Sequence, residues 1–447
     1  MGIPSLEDVR QAVEAELGFV VRDVRRQSRW RPTWFVSAEG ADGPFELVVR
    51  GDRVDTSVFP LDHEFRFHRL LSEHGIPVPK LYGWIDSIRA VAMEMIPGQP
   101  TFKDTPTEDR DQVVDDYLQA LAQIHALPVQ PFADAGIFRA DRPENSSGVG
   151  RLRAIALFRS RKRRPMPFAE FCISWLLRHL PQSRGREAPI LWDTGQFHHS
   201  HGHLNAILDL EFGHIGDPMM DLAVWRMRDT LIPFGDFRQI YARYEELSGR
   251  PIDLETIRRH HFAGTTGNLL MFGPAILDPV SDTDLMTNMQ WTSETNLHAT
   301  EALAEAMGAE LPEAETPEPR QTREDATFDH LIRQIGLVSS SDPEVKHQLR
   351  LMFRTARHLR RVNEIGDAVV SADLDDLYRV TGIKAQSWQD GDTELEQFVA
   401  ADAGIGRHDE ALLWLFHRRN LRSHMQMGPP GSSMTRHFPT QRFDEFD

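Results

Sequence analysis

The sequence has little that would cross-link it, insert it in a membrane or export it. Cys172 is the single cysteine in 447 residues, which excludes an intramolecular disulfide framework and any site built from several thiolates. No apolar run approaches the roughly 18 residues of a transmembrane helix. The first residues lack the basic start and apolar stretch of a secretory signal. We therefore expect a cytoplasmic protein without a membrane partner.

The sequence also has fewer positively charged than negatively charged residues. Asp and Glu number 67 against 50 Lys and Arg, which gives a formal net charge of −17. A chain of that charge repels nucleic acid unless a local basic stripe overrides it, so we expect no nucleic-acid partner. At roughly 150 residues per domain, the length indicates about three compact units.

The first hundred residues have the pattern of a small sheet. Short apolar runs alternate with turn residues over residues 17–50, and strand-like runs recur at 81–84 and 90–95. Between them, residues 60–74 have helical apolar spacing, and the segment 75–79, with Gly75, Pro77 and Pro79, ends the helix. We predict an antiparallel five-stranded lobe with one helix.

Beyond Gly98 the apolar spacing becomes helical, interrupted by strand-like runs at 190–199 and 204–210. Residues 310–325 combine three prolines with many carboxylates, a linker composition. Amphipathic helical patterns follow near residues 326–337, 343–364, 366–380, 393–402 and 409–423. The predicted domains are residues 1–97, residues 98–308, a linker at 309–325, and a helical domain with a polar tail at 326–447.

Two acidic residues stand at the start and the end of the predicted 190–210 hairpin. Asp193 lies near its start and Asp209 near its end, so the fold can bring their carboxylates together. Phosphoryl transfer needs such a pair, one carboxylate to orient the attacking hydroxyl and one to hold a magnesium ion on the phosphates. Gln196 offers a neutral oxygen as a further metal ligand.

The stretch after the hairpin resembles the aminoglycoside phosphotransferase-like family of small-molecule kinases, relatives of the protein-kinase fold. Residues 208–211 read Leu-Asp-Leu-Glu and residues 216–223 read Gly-Asp-Pro-Met-Met-Asp-Leu-Ala, similar to that family's I-D-x-E and G-D-P-x-x-D-L-A. Residues 93–98 are similar to its lobe connection. The resemblance spans residues 15–305 or so and implies an α+β, bilobal protein-kinase-like fold: an antiparallel-sheet N-lobe, a mainly helical C-lobe, and here an added all-helical C-terminal domain.

The resemblance also implies a site that uses ATP and Mg²⁺. Asp209 would hold the metal and Gln196 would complete its shell, while Asp193 would act as the catalytic base. Arg50 stands where the family has a phosphate-pairing lysine, and Glu64 matches its acidic residue on the N-lobe helix. The adenine would pack on the connection formed by Glu94, Met95 and Ile96. In that family the acid of the G-D-P stretch, here Asp217, supports the catalytic loop by hydrogen bonds, so we expect Asp217 and Asp221 to be structural and not metal ligands.

Three departures from the family pattern leave alternatives open. Leu191 and Trp192 replace the His-Gly that precedes the catalytic acid, and the loop to Gln196 is two residues short, so Asp193 is either the base or a structural turn acid. Arg50 binds nucleotide phosphate or is a charge at a strand end. Residues 27–35 contain no glycine, so they form either a phosphate-capping loop or a rigid hairpin without ligand contact.

Two functions follow. The first is a phosphotransferase that phosphorylates a hydroxyl of a small molecule, with an aromatic or acyl-bearing alcohol or phenol ranked slightly ahead of an aminoglycoside. The alternative is a catalytically silent pseudokinase that senses nucleotide or acts as a scaffold, favoured if Arg50 or Trp30 fills the metal position. The C-terminal domain would serve a homodimer, an accessory protein or acceptor binding. The histidine-rich run at residues 198–203 is expected to be an exposed turn in preference to a metal site.

Overall fold

The structure is a computed structural model of the chain and describes residues 3–27, 31–52, 58–183, 185–280 and 283–443. The chain forms two compact units. The first comprises residues 1–153, 181–260 and 440–447, and the second comprises residues 154–180 and 261–439. Part of the predicted phosphate loop, residues 28–30, lies outside the described residues. The predicted domain boundaries at 97, 308 and 325 stay predictions.

The secondary structure elements are numbered in chain order. The strands are β1 (Val20–Arg26), β2 (Thr33–Gly40), β3 (Gly43–Gly51), β4 (Leu81–Ile85), β5 (Ala90–Glu94), β6 (Ala188–Ile190), β7 (Phe197–Ser200), β8 (His203–Ile207) and β9 (His214–Gly216). The helices are α1 (Leu6–Ala12), α2 (Leu61–Glu73), α3 (Thr107–Ala126), α4 (Val129–Asp134), α5 (Val149–Arg161), α6 (Pro167–Arg178), α7 (Pro218–Arg228), α8 (Phe237–Ser248), α9 (Leu254–Thr265), α10 (Gly267–Leu277), α11 (Leu285–Met307), α12 (Asp325–Leu337), α13 (Pro343–Thr381), α14 (Trp388–Asp402) and α15 (Asp409–Met425).

A five-stranded antiparallel sheet with strand order β1-β2-β3-β5-β4 opens the first unit. Trp34, Val36, Leu47 and Val49 alternate along β2 and β3 and are buried on one face, as the period of two in a strand requires. The predicted sheet lobe and its helix, α2, are confirmed. Helix α1 packs under the sheet through Val9 and was not predicted.

Helix α2 lies close to the chain that follows β8. The α-carbon of Gly213 faces the aromatic ring of Phe67 on α2, and a β-carbon built on Gly213 would stand 2.2 Å from two ring carbons. Only a residue without a side chain fits there. This close approach positions α2, and with it Glu64, beside the segment that carries Asp209.

Replacing Gly213 by alanine is expected to lower the free energy of unfolding by about 1–3 kcal/mol, because the buried Phe67 ring must move to admit a methyl group. Denaturant unfolding of the full chain measures the loss. In a Phe67→Leu background the same change should cost less, since the smaller side chain relieves the clash. Gly404→Ala is the matched control, because no described atom would lie within 4 Å of a β-carbon added there. Equal costs in the two backgrounds would contradict this packing.

The rest of the first unit is mainly helical and buries a second apolar core. Tyr117 and Leu121 of α3 pack there with Phe197 of β7 and Trp225 of α7. Two short antiparallel pairs, β6 with β9 and β7 with β8, complete this part. The predicted α+β class is therefore confirmed.

The second unit is built from helices. Helix α11 packs against α10, α13 and α15, and α13 packs against α12, α14 and α15. The two helices predicted at 343–364 and 366–380 are one continuous helix, so that prediction was wrong. A single interior glycine, Gly366, costs about 1 kcal/mol, and burial of Ile365, Val369 and Leu377 outweighs it. Within the described ranges, no helix combines the length and the apolar character needed to cross a bilayer.

Candidate active site

The β7–β8 hairpin brings the predicted acids together. Phe197 of β7 pairs with Ile207 of β8, and the Leu208 amide donates to the Gln196 carbonyl at 3.0 Å, which extends the ladder by one step. Gln196 and Asp209 therefore face each other at its open end. The Gln196 side-chain nitrogen donates to Asp193 Oδ2 at 2.5 Å and to Asp209 Oδ2 at 2.9 Å. One amide group thus joins the two carboxylates.

The loop that carries Asp193 has an unusual backbone. Trp192 has φ +61° and Gly195 has φ +85°, so the chain turns through the left-handed region on both sides of Asp193. The Gly195 amide donates to the hydroxyl of Tyr117 on α3 at 2.8 Å. Asp209 also has a left-handed backbone, with φ +59°. Such conformations are costly and often mark functional loops.

Asp221 of α7 holds this loop from inside. Its carboxylate accepts from the backbone amides of Leu191 at 2.8 Å and Trp192 at 2.7 Å, and it lies 3.0 Å from His125 Nε2. Asp217 caps the start of α7 by accepting from the Met219 amide at 3.0 Å. Both acids are fully buried. Both acids are thus structural, but the loop contacts come from Asp221. Asp217, the acid of the G-D-P stretch and the one expected to support the loop, instead caps α7 and accepts from the Ser147 hydroxyl at 2.8 Å.

Arg228, at the end of α7, pairs with the other face of Asp193. Its guanidinium group contacts Asp193 Oδ1 and donates to the Thr194 carbonyl at 2.9 Å. Burial raises the pKa of Asp193 above its ordinary value, and the positive charge of Arg228 offsets only part of that rise. A carboxyl group with a raised pKa is a stronger base than an exposed aspartate.

Arg50 of β3 reaches Asp209 directly. Its guanidinium group contacts Asp209 Oδ1 and stands 3.0 Å from Glu64 Oε1. Arg31 is next to it and donates to Glu64 at 2.9 Å and to Glu211 at 2.5 Å. Burial by itself would raise the pKa of Asp209, but the guanidinium groups of Arg50 and Arg31 hold it well below its usual value.

These contacts, with the Gln196 amide as the link between Asp193 and Asp209, join a set of buried and half-buried charges, here called the ion-pair network. It contains three guanidinium groups and four carboxylates: Arg31, Arg50, Arg228, Glu64, Asp193, Asp209 and Glu211. Sequence reasoning missed Arg31 and Arg228. Neither stands at a spacing that points to its partners, because Arg31 and Glu211 are 180 positions apart in the chain.

A cavity of about 550 Å³ opens beside the network in the first unit. That volume is within the usual range for small-molecule sites. Seven of the eight site residues predicted from the sequence line it: Arg50, Glu64, Glu94, Met95, Ile96, Gln196 and Asp209. Asp193 does not line it and reaches it through Gln196. The predicted lobe connection and the predicted metal ligand Asp209 therefore line the same cavity.

The side chains at the open end of the hairpin have the chemical character of magnesium ligands. The Asp209 carboxylate and an amide oxygen from Gln196 are hard oxygen ligands of the kind that Mg²⁺ prefers, and Asp193 places a second carboxylate next to them. In the structure the Gln196 amide presents its nitrogen to both carboxylates, and a half-turn about its terminal bond would present its oxygen instead. Arg50 competes for one oxygen of Asp209, so a metal ion would have to displace that guanidinium contact.

The histidine-rich run at residues 198–203 diverges. His198 Nδ1 bonds to the Ile96 carbonyl at 2.9 Å, and His199 Nε2 bonds to the Thr101 carbonyl at 3.0 Å. His203 pairs with Asp116, and His201 is exposed. The expectation against a metal site agrees with these separate partners.

The part of the chain that forms this site is similar to known phosphotransferases in sequence. A family model described as "Phosphotransferase enzyme family" matches residues 24–258. Acyl-CoA dehydrogenase family member 10 of Mus musculus is 24% identical over 198 residues, which are 40% of this chain and 18% of that protein. The chain therefore spans less than a fifth of the length of this curated relative.

Solved structures with a similar fold include two phosphotransferases. Macrolide 2'-phosphotransferase MphH from Brachybacterium faecium is 20% identical with a TM-score of 0.43, over 61% of this chain and 99% of that one. Choline kinase LicA from Streptococcus pneumoniae is 16% identical with a TM-score of 0.48, over 67% of this chain and 98% of that one.

Proposed function

The chain belongs to the phosphotransferase enzyme family, and from that membership and the site geometry we propose that it transfers the terminal phosphoryl group of ATP, with Mg²⁺, to a hydroxyl of a small molecule. One observation carries the proposal. The carboxylates of Asp193 and Asp209 both accept from the Gln196 amide at the edge of a cavity that the lobe connection also lines. The proposal thus places an acceptor-orienting acid beside a metal-binding acid.

Each side of the cavity has a role in this proposal. Glu94, Met95 and Ile96 form the wall against which the adenine packs, and their backbone groups recognise its edge. Arg50 turns from Asp209 toward the phosphates, where a guanidinium group can bind two oxygens at once. Asp209 and Gln196 would hold a magnesium ion, which would neutralise phosphate charge. Glu64 keeps Arg50 on the cavity side through their 3.0 Å contact.

Asp193 is the proposed catalytic base. It accepts the proton of the acceptor hydroxyl as the oxygen approaches the phosphorus, and the Arg228 contact fixes the direction of its carboxylate. The loose transition state of phosphoryl transfer needs little covalent help, so the main contribution of these residues is positioning and charge.

The charge of the cavity wall supports a neutral acceptor. Its charged lining residues are balanced, three positive and three negative: Arg31, Arg50, Arg228, Glu64, Glu94 and Asp209. A polycationic aminoglycoside is best held by a strongly acidic cleft. Apolar side chains such as Phe35, Met95 and Ile232 also line the cavity. We propose an aromatic or acyl-bearing alcohol or phenol as the acceptor class, ahead of an aminoglycoside.

The pH profile of turnover should report the raised pKa of Asp193. A base acts in its deprotonated form, so kcat/KM is expected to fall as the pH drops through a value above 3.8, the ordinary pKa of an aspartate. Arg228→Gln removes the cation that lowers this pKa, so its acidic limb should shift to higher pH. Arg228→Lys keeps the charge and should leave the limb near its wild-type position. An unchanged limb in Arg228→Gln would contradict the assignment of Asp193.

A second candidate function has one specific observation in its favour. Arg50 contacts Asp209 where a metal ion would bind, which is the arrangement expected of a catalytically silent pseudokinase. Such a protein would sense nucleotide or act as a scaffold without turnover. In the proposed enzyme, by contrast, Arg50 would release Asp209 and pair with the nucleotide phosphates.

The test is ATP consumption by the full chain with Mg²⁺ across a panel of aromatic alcohols, phenols, acyl-bearing alcohols and aminoglycosides. Mass spectrometry of the phosphorylated product identifies the acceptor. Turnover with one class supports the enzyme. A rise in Tm with MgATP but no turnover with any acceptor would favour the pseudokinase. Neither turnover nor a nucleotide-dependent change in Tm would remove both functions.

A further inference from the structure

The second unit carries a cluster of ligating side chains that phosphoryl transfer does not use. His298 and Glu301 are three positions apart on α11 and project from the same face of the helix. His437 comes from the segment after α15 and joins them. One ligating atom of each residue lies within 4.8 Å of the others. We propose that His298, Glu301 and His437 bind a divalent transition-metal ion, with Zn²⁺ as the best match.

The spacing of the ligands suits such an ion. His437 Nε2 and Glu301 Oε1 are 2.7 Å apart and share a proton. Bonds of about 2.1 Å in a tetrahedron place ligand atoms about 3.4 Å apart. The present separations, from 2.7 Å to at most 4.8 Å, bracket that value. Zn²⁺ would therefore replace the shared proton with shifts of about 1 Å.

The hydrogen bond of His298 prepares that ring as a ligand. The Phe438 carbonyl can only accept, so His298 Nε2 donates to it at 2.9 Å and the lone pair stays on Nδ1. A histidine ligand in a metal site commonly makes a hydrogen bond of this kind through its other nitrogen. His437 Nδ1 is buried and has no hydrogen-bond partner in the described part of the chain. Contacts within the described chain therefore leave this nitrogen of the His437 ring without a hydrogen bond.

The chemistry of the ligands favours a transition metal of intermediate hardness. The ring of His424 on α15 lies 6.3 Å from that of His437. Glu294, one turn before His298, adds a second carboxylate near His437. Imidazole with carboxylate suits Zn²⁺ better than Mg²⁺ or Ca²⁺, which prefer oxygen alone.

The position of the cluster indicates a structural role. The segment after α15 lies along α11: Met434 packs on Met286, and the Gln290 side chain donates to the Ser433 carbonyl at 3.3 Å. His437 makes the next contact, with Glu301, 136 positions away in the chain. A metal ion there would close a long loop and fasten the segment to the helix, which stabilises the folded state.

The experiment uses the full chain, stripped with a chelator and then titrated with Zn²⁺. Calorimetry and metal analysis after gel filtration should show one Zn²⁺ per chain, and Zn²⁺ should raise Tm. His437→Gln and Glu301→Gln should each lose the bound ion and the rise in Tm. His330→Gln, at an exposed histidine of α12, should keep both. Co²⁺ in place of Zn²⁺ should give the visible absorption of a tetrahedral site in the wild type and in His330→Gln, and in neither ligand variant.

The metal-free variants are compared with metal-free wild type by circular dichroism, so a folding defect is separated from a binding defect. His298→Gln is avoided as the main variant because His298 is only 2% exposed. Failure of the wild type to retain Zn²⁺, or full retention by His437→Gln and Glu301→Gln, would overturn the site. The readouts need no substrate, so they are independent of the phosphotransferase proposal.

Discussion

Asp209→Asn is expected to reduce kcat on the order of a thousandfold, with the fold unchanged. Asparagine keeps the size of the side chain and a hydrogen-bonding partner for Gln196, but it removes the negative charge that would hold Mg²⁺. A thousandfold loss corresponds to about 4 kcal/mol of transition-state stabilisation, a reasonable share for a metal ligand. Because Arg50 and Arg31 keep the pKa of Asp209 low, the wild-type carboxylate is ionised throughout the working pH range.

The measurement is the steady-state rate with the acceptor that the panel identifies. Asp134→Asn, at an exposed acid near the end of α4, is the control and should retain the wild-type rate. Arg50 remains paired with Glu64 in the variant, so Tm should change little. A rate within tenfold of wild type would show that Asp209 does not hold the metal ion.

Asp221→Ala is expected to lower the free energy of unfolding by about 3–5 kcal/mol. The side chain is fully buried, and its loss leaves the Leu191 and Trp192 amides and His125 Nε2 without their acceptor. Buried donors without partners carry the full desolvation cost. The Asp193 loop would also lose its inner support, so turnover should fall with stability.

Differential scanning calorimetry of the full chain measures this loss as a lower Tm. Asp236→Ala is the contrast, because Asp236 caps α8 at the surface through the Arg238 amide and should cost only about 1 kcal/mol. Asp221→Asn keeps one acceptor oxygen and should fall between wild type and alanine. Equal effects of the Asp221 and Asp236 alanine variants would show that the buried contacts are not what holds the loop.

Local patterns predicted the parts of the fold that depend on neighbours in the chain. The five strands of the N-terminal sheet follow from their short alternating runs and the turn residues between them. The predicted hairpin indicated that Asp193 and Asp209 lie close together, because the first and last residues of two short antiparallel strands are neighbours. The roles of these acids, and of Arg50, Glu64 and the residues of the lobe connection, stay predictions until turnover is measured.

Contacts between distant segments were not predictable in this way. Arg31 reaches the site from just before β2, and Arg228 reaches it from the end of α7. Neither arginine has a sequence spacing that indicates its carboxylate partner. The histidine-rich run at residues 198–203 attracts attention in the sequence, yet its rings have separate partners. The proposed ligand cluster in the second unit joins His298 and Glu301 to His437, from segments that only the tertiary structure brings together.

The ion-pair network has a consequence for the order in which ligands can enter. Its guanidinium groups are already paired with carboxylates, so the charges of the cavity wall cancel and do not attract a triphosphate without a metal ion. Such a triphosphate would take Arg50 away from Asp209 and leave the negative charge of Asp209 unpaired, without compensation. A triphosphate that arrives with its divalent counter-ion supplies that compensation in the same event. In the proposed mechanism, the resting site would therefore bind the metal complex of the nucleotide in preference to the free anion.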